Sequence, residues 1–193
     1  GNLPNTPKTL SCSADPIIWD LHKTDIVKEF PAGRGLQNTK IRMKYVHPSD
    51  SMYDWREVIK SRFITKLLYA KLDDLRFKKK RGVYFVNAHQ WYFPLMKWNT
   101  ISLTVDCSFE EMDIILDDIE TMIDDLKGNI GDNDFYYTAN RIYQNYKSPE
   151  IRNNNKKMQN FLYQFYRFDE PFLKPEKVEE YVRSIKPEDL RDW

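Results

Sequence analysis

A chain of 193 residues fits one large domain or two small ones, and 30 Lys+Arg against 29 Asp+Glu removes any global electrostatic reason to bind nucleic acid or an anionic membrane. Hydrophobic residues make up 41%, and 12 Tyr and 11 Phe add large apolar rings, so a single core of ordinary size can be built. No apolar run is long enough to span a bilayer, and two cysteines, Cys12 and Cys107, are too few for a disulfide framework or a zinc finger. They can form one bridge or remain two free thiols.

Residues 1–15 hold Asn, Pro, Thr and Ser with little periodicity and read as the start of a loose leader that extends to residue 24. Residues 25–193 read as a single domain. Its first candidate element is a short edge strand at 25–30, followed by a turn at Pro31–Gly35. From Lys40 to Val46 charged and apolar residues alternate, which puts Ile41, Met43 and Tyr45 on one face of a strand. His47-Pro48-Ser49-Asp50 ends that strand and starts a helix.

Beyond Met52 the apolar residues Trp55, Val58, Ile59, Phe63, Ile64, Leu67, Leu68, Leu72 and Leu75 recur at steps dominated by three and four. That spacing predicts one long amphipathic helix. Lys78 to Arg81 place positive charge at its carbonyl end, and Gly82 suits the position just past it. Val83–Phe93 and Trp98–Cys107 read as two strands of an antiparallel hairpin, with Ile101, Leu103 and Val105 alternating against Ser102, Thr104 and Asp106.

Ser108-Phe-Glu-Glu111 has the spacing of a capping box, in which each side chain satisfies a backbone N–H at a helix start. An apolar stripe from Met112 to Leu126 follows, and Gly128 ends it. A third helix is expected from Asp132 to Tyr146, with Phe135, Ala139, Ile142, Tyr143 and Tyr146 inward. In a fourth, Met158, Phe161, Leu162, Phe165 and Tyr166 share a face. Two short helices begin at Pro175 and Pro187, where a missing N–H costs nothing. The order predicts an α+β fold, an antiparallel sheet covered on one face by helices.

Candidate chemistry is sparse. His22, His47 and His89 have no second His or Cys at metal spacing, and neither H-E-x-x-H nor H-x-x-E-H is present. Asp113, Asp117, Asp118, Asp124 and Asp125 lie opposite the apolar stripe of their helix and read as a solvated face. The basic run Arg76–Arg81, with Trp91, Tyr92 and Trp98, lacks the wide basic surface that nucleic acid requires. Cys107 paired with His89 across the hairpin would make a cysteine nucleophile, but a strand Cys among apolar residues is usually core.

One pattern is more specific. The long helix running into Leu75-Arg76, a charged stretch and Gly82-Val-Tyr84, then strand, strand and helix, resembles the insulinase/pitrilysin-type zinc metallopeptidases, the inverzincins. Ile101–Glu111 is similar to that family's strand followed by a helix start. Asn155-Lys-Lys-Met158 before Phe161-Leu162 is similar to an Asn-x-x-Trp-Leu stretch, and Glu180–Leu190 resembles the closing segment. The resemblance covers about residues 25–193 and implies a sheet-and-helix domain of the insulinase/mitochondrial processing peptidase type.

It also implies a role. In the family the zinc motif H-x-x-E-H lies on the first long helix, which here reads Asp54-Trp-Arg-Glu-Val-Ile-Lys-Ser-Arg-Phe63 with no His. The resemblance therefore points to an inactive C-terminal domain with no catalytic residue and no metal of its own. Zinc is expected in a partner catalytic domain of the same protein or complex. The implied partners are that domain and a peptide substrate, without nucleic acid or membrane insertion, in an exported or periplasmic protein. Arg76 and Tyr84 match the Arg and Tyr with which non-catalytic domains of the family reach substrate, one residue further apart here. The alternative is a degenerate peptidase-fold module used only for assembly.

Overall fold

The structure, a computed structural model, describes residues 38–49, 53–93, 97–147, 159, 162–163, 165–167 and 175–191. The expected leader 1–24, the expected strand at 25–30, Cys12 and His22 lie outside the described residues. So do the hairpin residues 94–96 and the Asn155–Met158 stretch.

Three strands form the sheet: β1 (Asn38–Pro48), β2 (Val83–Phe93) and β3 (Trp98–Ser108). Their order is β1-β3-β2, and both pairings are antiparallel. The period of two seen in the sequence becomes the two faces of the central strand. Ile101, Leu103, Val105 and Cys107 of β3 are all buried, and with them lie Ile41 and Met43 of β1 and Val86 and Ala88 of β2. The helices cover this face, as expected.

Helix α1 (Trp55–Phe77) starts later than the His-Pro-Ser-Asp stretch predicts. β1 runs on through Pro48, and the cap is Asp54, whose carboxylate accepts from the Arg56 N–H at 2.8 Å. An extended residue with a short acceptor side chain satisfies one of the N–H groups that a helix start leaves unpaired. α1 is also buried on two sides rather than one. Leu68, Leu72 and Leu75 face the sheet together with Ile115, Ile119 and Met122 of α2 (Met112–Gly128). Trp55, Ile59, Phe63 and Leu67 pack instead with α3 (Asp132–Lys147), α4 (Pro175–Ser184) and α5 (Pro187–Arg191), through Phe135, Ile142, Val178, Val182 and Leu190. The Lys71 ammonium donates to Asp134 and ties α1 to α3. α1 is thus the middle layer between the sheet and the C-terminal helices.

Two sequence expectations at helix ends fail for the same reason. Ser108 makes no side-chain cap, and a 3-10 turn at Phe109–Glu111 precedes α2. The Glu111 carboxylate accepts instead from the N–H of Gly82 at 2.6 Å, and Ser108 N–H donates to Gly82 C=O at 2.8 Å. Gly82 is therefore not the left-handed residue past α1. Lys80 takes that conformation, with φ 52°. Gly82 is needed for close approach, since a Cβ there would lie 2.7 Å from Ser108 Oγ. The expected fourth helix is described only in pieces, residues 159, 162–163 and 165–167 being helical.

Candidate functional site

The turn from α1 to β2 carries both residues singled out in the sequence. Arg76 lies in the last turn of α1, exposed, with its guanidinium carbon 5.2 Å from the centroid of the Phe77 ring. Tyr84 is the extra residue of a β-bulge: Val83 pairs with Cys107 and Phe85 with Asp106, leaving Tyr84 without a partner position and 53% exposed. Bulges on outer strands re-aim a side chain, and β2 is an outer strand of the described sheet. Arg76 and Tyr84 flank the same turn, and no hydrogen bond links them.

The rest of the basic run, Lys80 apart, is already occupied. Lys78 pairs with Asp74 at 2.8 Å, while Lys79 and Arg81 both reach Asp118 of α2, at 2.6 and 2.8 Å. Asp118 is thus not part of a solvated acidic face. Burial pushes its carboxyl pKa up, but the hydrogen bonds and charges of Lys79 and Arg81 outweigh this and hold it below the ordinary carboxylate value. A depressed folded pKa stabilises the fold at pH values above the unfolded carboxylate pKa and ceases to as pH falls through the folded value. Asp118→Ala is expected to lower stability by about 1 kcal/mol at pH 7. The difference from wild type should vanish in urea melts at acid pH, below the ordinary carboxylate range.

Cys107 and His89 cannot act together. Cys107 is fully buried on the helix-covered face opposite Val83, whereas His89 pairs with Ser102 on the other face. Five residues along β3 separate the two positions, roughly 17 Å at a strand's rise. Burial pushes the Cys107 thiol pKa up, and the carboxylates of Asp106 and Glu111 push it further. It is a core thiol. In native protein at neutral pH it should resist alkylation, and in urea it should react fully, as peptide-mapping mass spectrometry would read out.

The described residues form no zinc site. α1 holds no His or Cys. Among the described residues no group of three or more His, Cys, Asp or Glu is placed to hold a metal ion. His47 and His89 lie on different outer strands and on opposite faces of the sheet.

A cleft of about 260 Å3 lies between β1 and the helices, lined by Tyr45, Ile64, Leu68, Ile101, Ile123 and Leu190 among others. The two cations on its wall are both paired, Lys127 with Asp124 and Arg191 with Glu188, each at 3.0 Å. It offers mainly apolar packing surface.

No family model matches the sequence, and no curated protein matches it. Solved structures do match in shape. An M16 peptidase inactive domain from Pseudomonas fluorescens superposes with a TM-score of 0.65 at 11% identity, over 84% of this chain and 38% of that one. The fold is that of an M16 peptidase domain. The periplasmic protease PqqL from Escherichia coli matches at TM-score 0.60 and 13% identity, over 82% of this chain and 18% of its own length. A predicted insulinase family protease from Yersinia pestis matches at 0.59 and 9%, over 82% of this chain and 36% of its own. The chain thus spans less than two fifths of each. The M16 fold agrees with the resemblance read from the Arg76–Tyr84 region and the strands that follow. No described helix is long and apolar enough to cross a membrane.

Proposed function

We propose that this chain is a non-catalytic lobe of a zinc-dependent peptidase, helping to enclose and position an extended peptide whose hydrolysis takes place on a companion zinc-bearing domain. The observation that carries the reading is α1. The resemblance matches it to the helix on which the family carries H-x-x-E-H, yet it has no His or Cys, and the chain has an M16 fold. Metal-assisted hydrolysis needs its ligands and a general base, so they come from elsewhere. The small share of each matching structure that this chain covers supports a companion domain. One match is a periplasmic protease, which supports an exported location.

Arg76 and Tyr84 are the substrate-facing pair. An exposed guanidinium donates to peptide carbonyls, and a phenol aimed outward by a bulge stabilises negative charge developing on the scissile carbonyl oxygen. The alternative is a degenerate copy of the fold used only in assembly. The two separate in a binding experiment with a fluorescein-labelled, unstructured, neutral peptide followed by anisotropy. A peptide-holding lobe binds it, and Arg76→Ala weakens binding about threefold or more. Absence of binding by the wild-type chain would support the assembly-only module.

A further inference from the structure

The sheet has a second face, and the register fixes what it carries. On β1, Lys40, Arg42 and Lys44 stand opposite Asp106, Thr104 and Ser102 of β3. On β2, Phe85 and Trp91 stand opposite Asp106 and Thr100. Helices α1 to α5 pack on the other side. This face therefore carries cations along β1, hydroxyls and the Asp106 carboxylate along β3, and Phe85 and Trp91 near the two ends of β2 with Asn87 and His89 between them. The outer rows run roughly 10 Å apart, and neighbours within a row are roughly 7 Å apart.

Phe85 is 49% exposed and Trp91 59%. Lys40 is paired with Asp106 at 3.4 Å, while Arg42 and Lys44 are exposed and have no carboxylate partner among the described residues. Thr100, between Val46 and Trp91 in register, is buried with a hydroxyl that has no hydrogen-bond partner. Lysines on outer strands commonly serve to discourage edge-to-edge pairing. That accounts for the cations but not for two large aromatic side chains left in water beside them.

We infer that this face binds an extended peptide segment in which acidic and apolar residues are mixed. Its carboxylates pair with Arg42 and Lys44, and its apolar side chains lie over Phe85 and Trp91. The inference rests on the reading of the chain as a peptide-holding lobe and adds the class of peptide. Same-face side chains of an extended peptide repeat roughly every 7 Å, the spacing of Arg42 and Lys44, and about seven extended residues span the roughly 20 Å from Phe85 to Trp91. Charge complementarity selects an acidic partner. A nucleic acid fits less well. It calls for a basic surface that follows many phosphates, whereas Lys78, Lys79 and Arg81 are neutralised by Asp74 and Asp118 and the whole chain carries +1.

The test is fluorescence anisotropy on the full chain with labelled decapeptides alternating Glu with Leu or Ser with Leu, and with a labelled oligo-dT. The Glu peptide is expected to bind about tenfold tighter than the Ser peptide at low salt. Arg42→Glu combined with Lys44→Glu should erase that preference, and Trp91→Ala should weaken both peptides several-fold. These residues are exposed, and thermal melts of the variants should match wild type. Equal affinity for the two peptides, unchanged in the double variant, would overturn the assignment of this face while leaving the peptide-holding reading intact. Failure of both peptides to bind would overturn both. Tighter binding of oligo-dT than of the Glu peptide would overturn the choice of peptide as partner.

Discussion

Phe63→Ala is expected to destabilise the fold by about 3–5 kcal/mol, read as a fall in the urea midpoint with little change in slope. Phe63 is fully buried, and its ring stacks on Phe135 of α3 with centroids 5.0 Å apart. Because α1 is the middle layer, the space left behind opens where α1 meets α3, and neither layer can close it without moving off its other neighbour. The control is Phe77→Ala near the end of the same helix. Phe77 is 67% exposed, and its loss should stay within about 0.5 kcal/mol. A Phe63 variant costing less than about 1 kcal/mol would contradict the three-layer packing.

Gly82→Val should be the second large effect, about 1–3 kcal/mol. No positive φ is at issue, and the cause is space. A Cβ at position 82 would sit 2.7 Å from Ser108 Oγ and 3.3 Å from both Ser108 Cβ and Glu111 Oε2. Added methyl groups press on the same atoms. They also disturb the Glu111 carboxylate, which accepts from the Gly82 N–H at 2.6 Å. Removing the obstacle supplies the check. In a Ser108→Gly background the same valine should cost less, with a coupling of about 1 kcal/mol in the double-mutant cycle. Additive effects would mean that Gly82 is required for some other reason.

Much of the framework was legible in local patterns. The alternation at Ile101, Leu103 and Val105 predicts the face that is buried, and the three-and-four spacing through Leu72 and Leu75 predicts α1. Pro175 and Pro187 do open short helices. What local reading misses is set by partners far away in sequence. Ser108 and Glu111 have capping-box spacing, but Glu111 finds an N–H 29 positions earlier. Asp118 has the spacing of a solvent-facing residue and instead holds Lys79 and Arg81. Lys80 takes the left-handed conformation, while Gly82, the residue the sequence offers for it, is held against Ser108 and Glu111.

The site follows the same division. Arg76 and Tyr84 were found by resemblance, and their exposure at one turn is a matter of tertiary placement. The second face of the sheet could not be read from either strand alone. Lys40, Arg42 and Lys44 look like the wet side of an ordinary strand until β3 sets Lys40 in register with Phe85 and puts Trp91 on the same face, two strands away. A signal was present all the same, since Phe85 and Trp91 fall at positions where β2's own alternation places water.

The central claim, a peptidase-fold lobe without a catalytic centre, is tested most directly by hydrolysis of a quenched fluorescent unstructured peptide by the purified chain while zinc is titrated in, with metal content measured on the same samples. The account predicts no stoichiometric zinc and no cleavage above buffer at any zinc level. One bound zinc per chain, with turnover that a chelator abolishes and zinc restores, would contradict it.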